Sequence, residues 1–343
     1  MNRKRMKLIW KKMLLCVVAA ICLCGCGSVK KQSGQDGMVP AELTEDLIVV
    51  GFSQLGSESV WRTAHTASIQ EQLTKEKGFF LEYNNARQRQ ENQIKAIRSY
   101  ISQRVDYIVF SPVTETGWDT VLQEAKNANI PVIVVDRMVD VKDDSLYTTI
   151  IGMDAQEEGR KAGRWLEEFC RKNKGKDETI NVLVMEGTAG SSAQIGRSEG
   201  FDEIAKTHDD WRVLEKISGE FTTAKGKEVM LSMLSKYQDI DVVVSQNDDM
   251  TFGIIEALQE RGISYGVDGD VTIISFDAVK EALELVADGE INVDIECNPL
   301  QGEQVAEVIR KLEAGQPVEK RYVVDGDIFT IGNVKSVLEQ RKY

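Results

Sequence analysis

Polar planar side chains recur just after short apolar runs rich in β-branched residues. Glu58, Ser59, Trp61 and Arg62 follow the run at 47–53; Asp136 and Arg137 follow 132–135; Arg197 follows 181–186 and a small-residue turn. Asn247 and Asp248 come after 242–245, and Asp277 comes after 271–276. Carboxylates and Asn accept hydrogen bonds from hydroxyl groups, Arg donates through a planar fork, and an indole covers C–H surface. That mixture suits a neutral polyol, a monosaccharide above all, better than a lipid or a bare anion. An anion would not need so many carboxylates. Buried charge without a partner is costly, so these acids and arginines should be interleaved and mutually paired.

Other readings of the same residues are weaker or local. Trp61 could fill core on a helix face, and Asn247-Asp248-Asp249 could be N-cap chemistry. Gly187-Thr188-Ala189-Gly190 lacks phosphate-loop spacing and reads as a turn at a helix start. Adjacent Asp248 and Asp249 rarely straddle a scissile glycosidic bond at the roughly 5 to 9 Å that hydrolases use, so no enzyme and no cofactor is expected. Glu296 is a weaker site candidate, and His65 and His208 read as solvated or helical. With only two histidines and no close Cys/His cluster beyond the first residues, a zinc site is not expected.

These residues need a scaffold, and the chain alternates strand and helix patterns. Candidate strands are 47–53, 79–83, 107–111, 132–136, 148–152, 181–186, 213–217, 242–245, 271–276 and 291–296, with amphipathic stretches between most of them. The alternation argues α/β architecture with parallel sheets covered on both faces. Ten strands are too many for one comfortable sheet, so two doubly wound lobes are expected, breaking near 147–153. In open α/β sheets ligands bind outside the carboxyl ends of strands, where the polar residues fall.

The chain has 343 residues and a net charge of -13. An acidic surface repels phosphate backbones and argues against nucleic acid. A basic start is followed by an apolar core of about ten residues near 14–23, too short to span a membrane, then Cys24-Gly25-Cys26. This reads as a lipoprotein signal peptide over 1–25, with Cys26 the lipidated first residue of the mature protein. Residues 26–45 are polar and without apolar periodicity, a flexible tether. Of six cysteines, only Cys170 and Cys297 lie outside the leader, and two free thiols are expected.

VGFSQLGSESVWR, QRQENQIKAIRSYISQ, SPVTETGW, VIVVDRMVDVKDDSLY, GKEVM and NDDM resemble the type 1 periplasmic sugar-binding proteins, the ribose/galactose cluster of ABC-transporter receptors, and within it the galactofuranose-binding branch. The resemblance covers nearly all of the chain after residue 46. It implies that Glu58, Ser59, Trp61, Arg62, Asp136, Arg137, Arg197, Asn247, Asp248 and Asp277 contact sugar. It also implies a first lobe of 46–150 plus about 298–321 and a second of 151–297 plus about 322–343, joined by a multi-strand hinge. The expected protein is a monomeric, lipid-anchored receptor on the extracytoplasmic face of the cell membrane, handing sugar to an ABC permease. A sensor subunit docking on a membrane histidine kinase or chemoreceptor is the alternative. A DNA-binding repressor of the related type is set aside, because a signal segment stands where its helix-turn-helix would be.

Overall fold

A computed structural model describes residues 47–173 and 179–343. The expected leader, the 26–45 tether and Cys26 lie outside the described residues.

The first apolar run becomes β1 (Ile48–Gln54), with its later residues buried on both faces, as a strand covered by helices requires. It pairs in parallel with β2 (Phe79–Asn85) and β3 (Tyr107–Phe110), and β4 (Val132–Val135) and β5 (Thr149–Gly152) extend the sheet in the order 2-1-3-4-5. The second sheet repeats that order with β6 (Ile180–Glu186), β7 (Trp211–Ser218), β8 (Val242–Ser245), β9 (Thr272–Asp277) and β10 (Val293–Glu296). All ten expected strands are present, with ends shifted by at most two residues. Two more were not expected. The three-residue β11 (Arg321–Val323) joins β5 in parallel, and the two-residue β12 (Ile328–Phe329) joins β10 antiparallel.

Helices alternate with the strands: α1 (Val60–Gln72), α2 (Gln90–Gln103) and α3 (Asp119–Asn127) in the first half, α4 (Ala155–Asn173), α5 (Ser192–Ala205), α6 (Thr223–Lys236), α7 (Asp248–Arg261) and α8 (Lys280–Asp288) in the second. After β10 come α9 (Gly302–Glu313) and the short α10 (Lys335–Leu338). In the first sheet Phe52, Val109 and Ile133 face Ile69 of α1 and Val305 and Ile309 of α9, while Ile108, Phe110 and Val134 face Ile97 of α2 and Leu122 of α3. The period-2 alternation of buried residues is what lets one strand serve two cores. In the second sheet Val182 and Val184 face α4 and α5, and Leu183 and Met185 face α6, α7 and α8.

The chain passes between the sheets three times: after β5, between β10 and α9, and between β11 and β12. Ile151 and Gly152 still pair with Tyr322 and Val323 in the first sheet, so the first and last crossings fall about two residues beyond the expected boundaries. Gly152 is needed there: a Cβ would lie 2.5 Å from the carbonyl oxygen of Asp136.

Candidate functional site

Both sheets point their carboxyl ends at the gap between the lobes. Nine of the ten candidates line one cavity there: Glu58, Ser59, Trp61, Arg62, Asp136, Arg137, Arg197, Asn247 and Asp277. Its empty space is about 330 Å³, a figure that includes the open mouth.

On the first lobe, the Ser59 hydroxyl caps α1, accepting from the backbone N–H of Arg62 at 3.0 Å. That fixes where the helix starts and sets Trp61 and Arg62 at the cavity. The Arg62 guanidinium is 3.2 Å from Glu58 and 2.5 Å from Asp136. Ser111, at the end of β3, donates to the same Asp136 oxygen at 2.8 Å. Asp136 itself has φ +64°, a left-handed conformation rare for a non-glycine residue. Arg137 follows it, donates to the Val113 carbonyl at 3.0 Å, and lies 5.3 Å from the ring centre of Phe221 on the other lobe.

Burial alone would raise the pKa of Asp136, but the Arg62 and Arg137 guanidinium groups outweigh it and hold the carboxylate below its ordinary range. Burial, together with the neighbouring charge of Arg62, lowers Arg137 to about 10. Two atoms of this wall are buried with no hydrogen-bond partner: Oε2 of Glu58 and Nε of Arg137.

On the second lobe, Arg197 is the centre. Its Nε donates to Glu158 at 2.8 Å, one terminal nitrogen donates to the Gln246 carbonyl, and the other is 3.3 Å from Asp277. Burial and the charges of Asp248, Asp249 and Glu158 push Asp277 well above its usual range, against the pull of Arg197. Asn247 caps α7, its Oδ1 accepting from the Met250 N–H at 3.0 Å, which leaves Nδ2 as the group able to donate to a ligand. The rims meet directly: the Glu115 N–H donates to Gly190 O at 3.0 Å, and the Met138 N–H to Ser192 Oγ at 2.8 Å. This is a closed arrangement of the lobes.

Asp248 corrects the sequence reading. It is fully buried behind the cavity wall, accepting from Ser275 Oγ at 2.6 Å and the Val279 N–H at 2.8 Å. As the first residue of α7 it turns under β9 while its neighbour Asn247 faces the gap. Glu296 also stays out, held by Arg341, the Tyr343 hydroxyl and the Asp327 N–H. His65 is helical, but fully buried rather than solvated. It bridges Gln54 and Gln301 and stacks on Trp61 at 5.2 Å. His208 stacks on Trp211 at 4.2 Å, and Cys297 is a buried free thiol. The segment from Gly187 is a turn before α5, whose N-cap is Ser191.

Sequence reasoning missed Met153, Ala193, Phe221 and Cys297 as lining residues. Cys297 carried a partial signal, as it directly follows the strand end at Glu296. Phe221 carried none: it sits in a turn at φ +60°, outside any periodic pattern.

Set against known proteins, residues 50–317 match the family model for the periplasmic binding protein domain. The galactofuranose-binding protein YtfQ of Escherichia coli is 38% identical over 299 residues, 86% of this chain and 92% of that protein. A Mycobacterium smegmatis protein solved with β-D-fucofuranose is 42% identical with a TM-score of 0.82, covering 86% of this chain and 95% of that one. The binding component of the arabinose ABC transporter of Shewanella sp. ANA-3, solved with α- and β-L-arabinofuranose, is 39% identical with a TM-score of 0.80 and the same coverages. Such relatives are sugar-binding transport proteins, not enzymes. On the matched domain, the identities and the paired 2-1-3-4-5 sheets, this chain belongs to the periplasmic binding protein family and has its type 1 fold.

Proposed function

We propose that this protein is a lipid-anchored, extracytoplasmic receptor that encloses one furanose sugar between its lobes and presents it to an ABC permease. The observation that carries the reading is the pair of buried, partnerless atoms on the cavity wall, Oε2 of Glu58 and Nε of Arg137. One is an acceptor and the other a donor, and a buried polar atom without a partner costs about 1 to 3 kcal/mol. A hydroxyl both donates and accepts, so a polyol in the cavity satisfies both. Trp61 supplies an apolar face for ring C–H groups, and Asp136, Arg197, Asn247 and Asp277 supply further polar contacts. The furanose form is favoured by what the relatives were solved with or are named for: galactofuranose, fucofuranose and arabinofuranose.

Anchoring rests on the leader ending at Cys26. Two acyl chains give stable membrane attachment, and the polar stretch to residue 45 serves as the tether. The receptor acts as a monomer.

Calorimetry with L-arabinose, D-fucose and D-galactose, whose solutions contain furanose forms, tests the sugar reading, with methyl β-D-galactopyranoside and myo-inositol, which cannot form a furanose ring, as contrasts. Binding to none of the furanose-forming sugars overturns it. Metabolic labelling with palmitate tests the anchor: label present in the natural chain and lost in Cys26→Ala is expected, and label retained in the variant overturns the assignment of Cys26.

A further inference from the structure

Behind the cavity, two carboxyl groups meet under the turn that carries Asp277. Asp248 opens α7 and Asp294 lies in β10, and both are fully buried. The turn they underlie is conformationally unusual: Asp277 has φ +111° and Ala278 has φ +58°, positions that cost energy unless neighbours hold them. The holding contacts are visible. Asp294 Oδ1 accepts from the Ala278 N–H at 3.1 Å, and Asp248 Oδ2 accepts from the Val279 N–H at 2.8 Å. The remaining Asp248 oxygen accepts from Ser275 Oγ at 2.6 Å, tying the pair to β9 as well. The remaining Asp294 oxygen, Oδ2, is buried with no hydrogen-bond partner. Because the two carboxyl groups accept from consecutive backbone N–H groups, and Asp294 pairs across the strands with the Ser275 that donates to Asp248, they lie side by side.

Two ionised carboxylates cannot hydrogen-bond to one another, and like charges in a dry site do not both ionise. One proton between them removes that repulsion. We propose that Asp248 and Asp294 share a single proton and, as that pair, are positioning residues that hold the Asp277 turn in its ligand-facing shape. The proposal rests on Asp277 being a ligand contact, as in the reading above.

The chemistry of the surroundings supports the shared proton. Burial, and then the charge of Asp294, raise Asp248; burial raises Asp294 to about 8, with Asp277 adding to the rise and Asp248 opposing it. The charged groups facing the pair are Asp277 from β9 and Arg341 from the C-terminal segment; Arg197 from α5, Glu158 from α4 and Asp249 from α7 act on it through Asp277. Arg341 is already engaged by Glu296. A carboxyl whose folded pKa is raised stabilises the folded state below its unfolded pKa, and that contribution is lost as pH rises through the folded value. Here loss of the shared proton adds negative charge beside Asp277 and loosens the turn.

Asp294→Asn is the informative variant, because its amide can accept from Ala278 and donate permanently to Asp248. Three readouts are used: calorimetric affinity for L-arabinose, D-fucose and D-galactose from pH 6 to 9, thermal unfolding of the ligand-free protein over the same range, and infrared difference spectra of protonated carboxyl groups. The natural protein should lose thermal stability as pH rises from 6 toward about 8, where the loss levels off, and should lose affinity as pH rises past about 8. Asp294→Asn should keep its neutral-pH affinity, flatten both alkaline slopes, and lack one protonated-carboxyl band. Asp294→Ala should lose affinity roughly tenfold or more, since the Ala278 N–H is left unpaired. Asp249→Asn is the control for the nearby acid raised to about 7: it should flatten only the part of the stability slope below about pH 7, leaving the stability slope from 7 to 8 and the affinity loss past 8 in place. An unchanged carboxyl band in Asp294→Asn, or alkaline slopes as steep as those of the natural protein, overturns the proposal. If none of the three sugars binds, the furanose reading fails, while the unfolding and infrared measurements still decide the proton-sharing pair.

Discussion

The indole N–H of Trp61, a first-lobe residue on α1, donates to the carbonyl oxygen of Cys297, where the last parallel strand of the second lobe ends. The ring is packed among second-lobe core residues, including Met153 and Phe221, and is only 3% exposed. Its other side stacks on His65 at an interplanar angle of 12°. Trp61 is thus a peg from one lobe seated in the other, and it covers the cavity in the same act.

Replacing the peg should therefore weaken closure and sugar contact together. Trp61→Ala is expected to lower sugar affinity by at least about tenfold, or about 1.4 kcal/mol. Trp61→Phe keeps apolar cover and removes only the bond to Cys297, so a smaller loss of about 0.5 to 1.5 kcal/mol is expected. Calorimetry on both variants orders them. Affinity unchanged in Trp61→Ala would mean the lobes close without it.

Arg137 makes a second cross-lobe contact, over Phe221, and keeps one buried N–H without a partner. Arg137→Ala should lower affinity by roughly tenfold or more. Arg137→Lys should not restore it. A lysine ammonium cannot both reach the Val113 carbonyl and present a second donor in the plane of a fork, and it is more strongly hydrated. Natural affinity in the lysine variant would show that charge alone is what this position supplies.

Much of this is legible in the sequence, because hydrophobic period and strand-end chemistry are local signals. Val132–Val135 announces a buried parallel strand, and Asp136-Arg137 after it announces a site, without knowledge of anything distant. What failed was what depends on side-chain direction at a turn. Asn247 and Asp248 are adjacent, and only the cap geometry of α7 decides that Asn247 faces the cavity while Asp248 turns under β9. Phe221 reaches Arg137 from a turn with no periodicity at all. β11 and β12 are too short to carry a pattern, and they form because β5 and β10 offer edges.

His65 gives a pH prediction with a definite sign. Its Nδ1 accepts from the Gln54 amide at 3.0 Å, so Nε2 carries the proton toward Gln301 Oε1 at 3.2 Å, and the ring is neutral. Burial, reinforced by the charge of Arg62, lowers its pKa from 6.5 to about 4, although Asp136 pulls the other way. The folded protein thus binds fewer protons than the unfolded chain across that window. Stability is fully present above pH 6.5 and is lost as pH falls toward 4, by about 3 kcal/mol in all. Asp249, raised by burial to about 7, works in the opposite sense, its contribution fading as pH rises. The clean measurement is therefore a difference: denaturant unfolding of the natural protein and His65→Gln from pH 4 to 7. The gap between them should narrow as pH falls. A constant gap would mean that His65 does not titrate within the window.

Cys297 supplies a chemical reading of lobe motion. Its thiol lies in the cavity wall, 3% exposed, with the Met153 sulfur at 3.8 Å. Burial, then the nearby acids Glu158 and Asp277, push its pKa up, and the thiolate is the form that reacts. In the closed state it should be inert. Cys170, half-buried on α4 and outside the cavity, serves as the internal reference. Alkylation followed by peptide mass spectrometry should show Cys297 reacting slowly in sugar-free protein, through the opened form. If only the unliganded, opened form reacts, sugar at about 100 times its Kd should slow that labelling roughly 100-fold, by mass action. Cys170 should label at one rate throughout. Equal labelling of Cys297 with and without a bound sugar would place the thiol outside the space that closure seals.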